Sequence, residues 1–189
     1  MTQEYTTAYR FFDERGGKLV SRYGQLTWPR PNGKPGRWVK HDGPCVLCES
    51  GLHASPTPFA ALREAQGWVM GRVHADGIGS QCADKFSAKR MRIVTIFDRR
   101  HVVGLAALAA AMSLKYYEAK HKGTAPRKAI EAAIAWIRNP SAAAADAAWR
   151  AAAAAWRNKF NALAVELLDL EPDQIADWLT KKLTTSAFA

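Results

Sequence analysis

At Arg100 the chain changes texture, and the change limits what it can fold into. From Thr6 to Phe97 short apolar or alternating stretches are broken by turn residues, the pattern of a compact β-rich or α+β unit. Beyond Arg100 alanine-rich segments with helical periodicity take over. The expected fold class is therefore α+β. A β-rich unit with one short helix covers about residues 1–100, and an alanine-rich helical unit of about four helices covers 101–189. With 48% hydrophobic and 23% charged residues, the composition is that of a chain that folds rather than one that stays disordered.

Strands are predicted near 8–12, 25–28, 51–54, 68–74 and 90–97. One helix is expected at 57–66, with Pro58 in its first turn, Phe59, Leu62 and Ala65 on one side, and Gly67 as its stop. In the last strand Met91, Ile93, Thr95 and Phe97 should share one face, and Arg90, Arg92, Val94 and Ile96 the other.

Four helices are expected after Arg100. The first, 102–121, carries Leu105, Leu108, Met112 and Tyr116 as an apolar stripe. The second, 126–139, aligns Ile130, Ile134 and Ile137. The third, 141–170, would be capped by Ser141 and would cover roughly 45 Å. Trp149, Trp156, Phe160, Leu163, Leu167 and Leu170 follow each other along it as a heptad seam, a surface that must be buried against a neighbour or a partner. A last helix, 172–183, places Ile175, Leu179 and Leu183 on one face.

The net charge of +10 is unevenly placed, with 16 basic and 9 acidic residues in 1–100 against 11 and 8 in 101–189. Between Arg15 and Lys40 seven basic residues occur without a single acid, interleaved with Tyr23, Trp28 and Trp38. Lysine and arginine neutralise phosphates, and aromatic faces stack on unpaired bases. The pattern points to nucleic acid: Arg22, Arg30, Lys34, Arg37 and Lys40 on phosphates, Trp28 and Trp38 as stacking rings, and Lys89, Arg90 and Arg92 extending the footprint. The longest near-apolar run, 102–112, is about half of what a bilayer span needs, and the first ten residues lack the apolar core of a signal peptide. Three cysteines form an odd set that suits a reducing cytoplasm.

His41, Cys45, Cys48 and His53 carry zinc-type donors in Cys-x-x-Cys spacing. All four fall within thirteen positions, whereas structural zinc sites join two ligand pairs a dozen or more residues apart, so ordinary thiols and no metal are expected. Pro44-Cys45-Val46-Leu47-Cys48 copies the cysteine half of the nucleobase-deaminase signature, but no His-x-Glu precedes it. No βαβ pattern frames the pair as a thioredoxin-like redox site. His53, between leucine and alanine on a strand, reads first as a hydrogen-bonded core histidine.

Tyr9-Arg10-Phe11-Phe12, Cys48-x-x-Gly51-Leu52-His53-Ala54-Ser55, Asp84-Lys85-Phe86-Ser87-Ala88 and the trailing tryptophan- and alanine-rich helices resemble an uncharacterised family of phages and bacteria. That resemblance implies a phage or mobile-element origin and brings no activity with it. More distantly, the order of elements is similar to an ADP-ribosyltransferase half-barrel. It implies NAD as cofactor, Arg10 on its pyrophosphate, His53 or Ser55 ordering the nicotinamide pocket, and Asp84 in the place of the catalytic glutamate, although the family's Glu-x-Glu is absent.

The function expected is binding rather than catalysis. The chain reads as a small cytoplasmic accessory protein of phage type that engages nucleic acid or a nucleic-acid-handling host complex, in the manner of an anti-defence inhibitor, with no cofactor. An NAD-dependent transferase is the alternative. A third reading is an interaction protein whose Trp149, Trp156 and Phe160 meet a partner or a second copy of the chain.

Overall fold

The computed structural model describes residues 5–21, 26–65, 67–118, 125–140 and 161–184. Two compact units divide the chain, Met1–Phe97 and Asp98–Ala189, giving the α+β class. The first is β-rich. Its seven strands are β1 (Thr6–Arg15), β2 (Lys18–Val20), β3 (Thr27–Trp28), β4 (Val39–Lys40), β5 (Leu52–Ala54), β6 (Val69–Gln81) and β7 (Phe86–Ile96), with the short helix α1 (Pro58–Arg63) between β5 and β6.

All strand pairs are antiparallel, in the order β3-β2-β1-β6-β7-β4. β5 lies beside the first half of β7, with Leu52 opposite Ala88 and Ala54 opposite Phe86. The next residue, Ser55, then exchanges both backbone hydrogen bonds with Tyr9 of β1, at 2.8 and 2.9 Å. β1, β6, β7 and β5 thus curl into a nearly closed barrel, which leaves few unpaired edges.

The barrel interior holds Ala8 and Phe12 of β1, Val73 and Ala75 of β6, and Met91 and Ile93 of β7, joined by Leu19, Trp28, Val39, Leu52, Ala54, Phe86 and Ala88. Alternation along each strand sends the intervening residues outward. Part of that outer face is also covered. Tyr9, Phe11 and Met70 are buried there, and α1 packs against β1. α1 begins as its sequence predicts: the Thr57 hydroxyl accepts from the Ala60 N–H at 3.2 Å, and Pro58 occupies the first turn.

Two features differ from expectation. β2 and β4 lie within what reads as an open basic ribbon. The β1–β2 hairpin turns through Gly16 and Gly17, both at positive φ, the conformation a two-residue turn needs. The ribbon is therefore tied into the sheet at β2, β3 and β4, with a loop at 29–38 between the last two. In β7, Val73 faces Ile93 while Arg72 faces Thr95, so Val94 is an extra residue in the ladder, a β-bulge. The bulge resets the alternation. Thr95 is exposed, Ile96 packs on the core, and Phe97 stacks on Tyr9 of the outer face at 6.4 Å, contrary to the expected grouping of Thr95 and Phe97 with Met91 and Ile93.

In the second unit the described helices are α2 (Arg99–Glu118), α3 (Ala125–Arg138), α4 (Asn161–Leu168) and α5 (Ile175–Thr184). α2 is wrapped on every side from His101 to Ala109, where the sequence suggests a single stripe. Ile130, Ile134 and Ile137 of α3, Leu167 of α4 and Ile175 and Leu179 of α5 are buried as their periodicity predicts. Gly104 of α2 lies where a Cβ would stand 2.9 Å from Ile175 Cγ2, so the helices meet at a point that excludes even a methyl group. Trp149, Trp156 and Phe160 lie outside the described residues, as does the span 141–160 of the expected third helix. Among the described residues no helix is long and apolar enough to cross a membrane.

Candidate nucleic-acid interface

The two tryptophans of the basic ribbon have opposite fates. Trp28, paired with Leu19 across β2 and β3, is 2% exposed and packs edge-on against Phe12 at 5.3 Å. Its indole Nε1 donates to the Ser21 hydroxyl at 3.1 Å. No face of this ring is open to a base, which corrects its assignment as a stacking residue.

What lies over Trp28 is the guanidinium of Arg10, 4.7 Å from the ring centroid, with the Phe12 ring at 5.7 Å. Arg10 shares the inward parity of Ala8 and Phe12. Its Nη1 donates to the His53 carbonyl and its Nη2 to Ser21 Oγ at 3.5 Å. Part of the residue's surface stays open, but its Nε is buried and has no hydrogen-bond partner among the described residues. Burial lowers the Arg10 pKa to about 10, and no carboxylate among the described residues is paired with it. Its attachments are to rings, to the Ser21 hydroxyl and to the backbone of β5.

Trp38 stands at the other extreme. Lys40 is opposite Arg90 and Val39 opposite Met91, so the antiparallel register sets Trp38 beside Arg92 on the outer face. The ring lies 4.7 Å from the Arg92 guanidinium carbon and 5.0 Å from that of Arg90, and is half-buried. Such contacts contribute about 0.5–1 kcal/mol each at an exposed site. Arg92 faces His74 across β6, with Nη2 3.4 Å from His74 Nδ1, and its Nε is buried with no hydrogen-bond partner among the described residues. Tyr5 completes the group, stacked on the His74 ring at 5.3 Å and tilted against Trp38 at 5.2 Å. Burial first, then the Arg92 charge, lowers the His74 pKa, which favours the neutral ring.

The cations around this face fall into two sets. Arg90 is paired with Asp76, and Arg30 with Glu14, so neither is a bare charge. Pairs as exposed as Arg30–Glu14 are worth at most about 1 kcal/mol and exchange readily for a phosphate. Lys34, Arg37, Lys40 and Lys89 are exposed and form no ion pair among the described residues. The loop carrying Lys34 and Arg37 is drawn back to β7 by the Gly36 N–H, which donates to the Ile93 carbonyl at 2.8 Å. Gly36 is required there because a Cβ would stand 2.6 Å from the Pro29 carbonyl oxygen. Arg22 lies outside the described residues.

The zinc-type donors are engaged elsewhere. His41 Nε2 is 3.1 Å from the Pro44 carbonyl, and His53 Nε2 accepts the Cys48 N–H at 3.0 Å. Among the described residues no three His, Cys, Asp or Glu side chains gather as a metal site would require. Burial first, then Arg10, holds the His53 pKa below its ordinary value. Of the residues singled out by the transferase resemblance, Arg10, His53 and Ser55 meet at the β1–β5 junction, with Ser55 buried. Asp84 is engaged by the Cys82 thiol at 3.0 Å and by Arg63 at 3.4 Å, and the Cys82 hydrogen bond is the first cause of its lowered pKa. Nearby, Lys85 is held above its ordinary pKa, first by a hydrogen bond with Cys48 and then by Glu64, 3.4 Å away.

Tyr5 and His74 are the members of the outer-face group that the charge pattern misses. His74 alternates with the buried Val73 and Ala75, so period-two reading of β6 places it outward with Arg72 and Asp76. Tyr5 has no such signal, since only the path of the chain into β1 sets its position. Comparison with protein-family models, with curated proteins and with solved structures found no match.

Proposed function

We propose that the protein binds nucleic acid through the outer face of β4, β7 and β6, with Trp38 at its centre. The observation that carries this reading is the indole of Trp38 laid across two arginines, with Lys40 exposed on the same face of β4 and Lys34 and Arg37 on the adjoining loop. Phosphates meet the lysines and Arg37, while the ring offers a surface that phosphate binding alone does not need. The proposed footprint is smaller than the basic ribbon. Trp28 drops out of it, and Tyr5 and His74 enter. An acidic surface of a nucleic-acid-handling host complex would satisfy the same charges but would supply no base to stack, so it is the second choice.

Phosphate binding has a direct test. Anisotropy of a labelled oligonucleotide, titrated with the full chain between about 50 and 200 mM salt, should show affinity falling by at least tenfold, as counterion release at several contacts requires. Affinity that is flat in salt sinks the proposal. The double variant Lys34→Glu/Lys40→Glu should weaken binding at low salt and flatten the slope.

A further inference from the structure

Resting on the nucleic-acid reading above, we infer that the ligand of this face is a single strand, with an unpaired base stacked on Trp38. The argument begins with the rows that cross the barrel wall. One runs Trp38, Arg92, His74, Thr7 from β4 to β1, and the next runs Lys40, Arg90, Asp76. Arg90 and Arg92 are two apart on β7 and point the same way. A ring within 5.0 Å of both guanidinium carbons spans them, and so lies along the wall rather than projecting from it.

That posture separates the two kinds of nucleic acid. A duplex presents its backbone and base edges to a wall of this kind, and its base faces are consumed by its own stack. Reading a duplex calls for an element that enters a groove, whereas a ring lying along a sheet meets the face of a base only when that base is unpaired. The neighbouring Tyr5–His74 stack offers a second aromatic surface, its tyrosine ring centred 5.2 Å from that of Trp38. Charge fits the same occupant. The one carboxylate of these rows, Asp76, is neutralised by Arg90, and the exposed Lys40, two residues from Trp38 on the same face of β4, stands where the backbone of a stacked base would pass. Arg92, whose guanidinium carbon lies 4.7 Å from the indole centroid and whose Nε is buried with no hydrogen-bond partner among the described residues, holds a cation against the half-buried ring, and the base takes the exposed part of that ring.

The experiment compares three labelled probes of equal phosphate number: an oligothymidylate strand, the same strand with abasic sites throughout, and a hairpin duplex. The proteins are the full chain and its Trp38→Phe, Trp38→Ala and Lys40→Glu variants, each checked to be folded at the assay temperature by its thermal unfolding curve. The strand with bases should bind about tenfold or more tighter than the other two. Trp38→Ala should lose about tenfold on that strand and little on the others, Trp38→Phe should retain most of the affinity, and Lys40→Glu should weaken all three probes alike. Equal affinity for all three probes, with Trp38→Ala indistinguishable from the parent, overturns the single-strand inference and leaves phosphate binding standing. Preference for the duplex overturns it as well. Absence of binding to every probe at low salt removes both the inference and the reading beneath it.

Discussion

The guanidinium of Arg10 lies 4.7 Å from the ring centroid of Trp28, on the inward face of a barrel strand, with no carboxylate paired to it among the described residues. A charge in this setting costs desolvation that rings and two hydrogen bonds only partly offset. Replacement by an unbranched apolar side chain should therefore be tolerated. Arg10→Met is expected to change stability by less than about 1 kcal/mol or to raise it, whereas Arg10→Ala, which also opens a cavity, should cost about 2–3 kcal/mol. Urea titration of both variants checks this. A loss above about 3 kcal/mol in Arg10→Met would show the guanidinium to be a net tie of the barrel.

Trp28 and Trp38 should part company in the same assay. Trp28→Ala empties a core position and is expected to cost about 3–5 kcal/mol. Trp38→Ala removes a half-buried ring held by two cation–π contacts and should cost about 1–2 kcal/mol. Equal losses would contradict the division of labour drawn between them.

Acid should weaken the N-terminal unit through His53. Burial and Arg10 hold its folded pKa below the unfolded value of 6.5, so the unfolded chain takes up the proton first as pH falls. The stability that neutral His53 contributes is intact above about pH 7 and declines as pH drops through the unfolded value; His74 acts in the same sense. Denaturation midpoints at about pH 7.5 and 5.5 should differ accordingly. His53→Gln, whose amide oxygen can still accept the Cys48 N–H, should flatten the difference. A midpoint that rises on acidification in the parent and not in the variant would reverse the assignment.

In the helical unit, Gly104→Ala should destabilise. An exposed helical glycine replaced by alanine gains about 1 kcal/mol. At Gly104 the new methyl would meet Ile175 Cγ2 at 2.9 Å and both Leu167 methyls at 3.3 Å, so overpacking of about 1–3 kcal/mol outweighs the gain. A raised melting temperature would mean that the α2–α5 contact yields more easily than its geometry implies.

How far the residues announce this architecture depends on how local the deciding interaction is. Ile130, Ile134 and Ile137 declare a buried face because one turn of helix separates each from the next, and the faces of β6 follow equally from period two. Trp28 and Trp38 do not announce their fates. Both sit among prolines, glycines and basic residues, and what separates them is Leu19 across one strand pair and Arg92 across another. Arg10 is a middle case. Alternation with Ala8 and Phe12 aims it inward, but its sign argues for solvent until Trp28 and the His53 carbonyl are in place to receive it. Thr95 and Phe97 were beyond reach because a bulge depends on the partner strand.

Val94 gives β7 a point of slack in the β6–β7 ladder, whose other irregularity, between Ile78 and Gln81, lies on β6. Because two residues there answer to one across the ladder, the loss of one amino acid anywhere in 93–95 would be absorbed by regularising the pairing, leaving Ile96 and Phe97 on their present sides. The same loss at Met91 or Arg92 would instead thrust an aliphatic side chain into the row beside Trp38 and withdraw a cation from it. Chain length is thus negotiable at one end of this strand and fixed at the other, where the aromatic cluster sits.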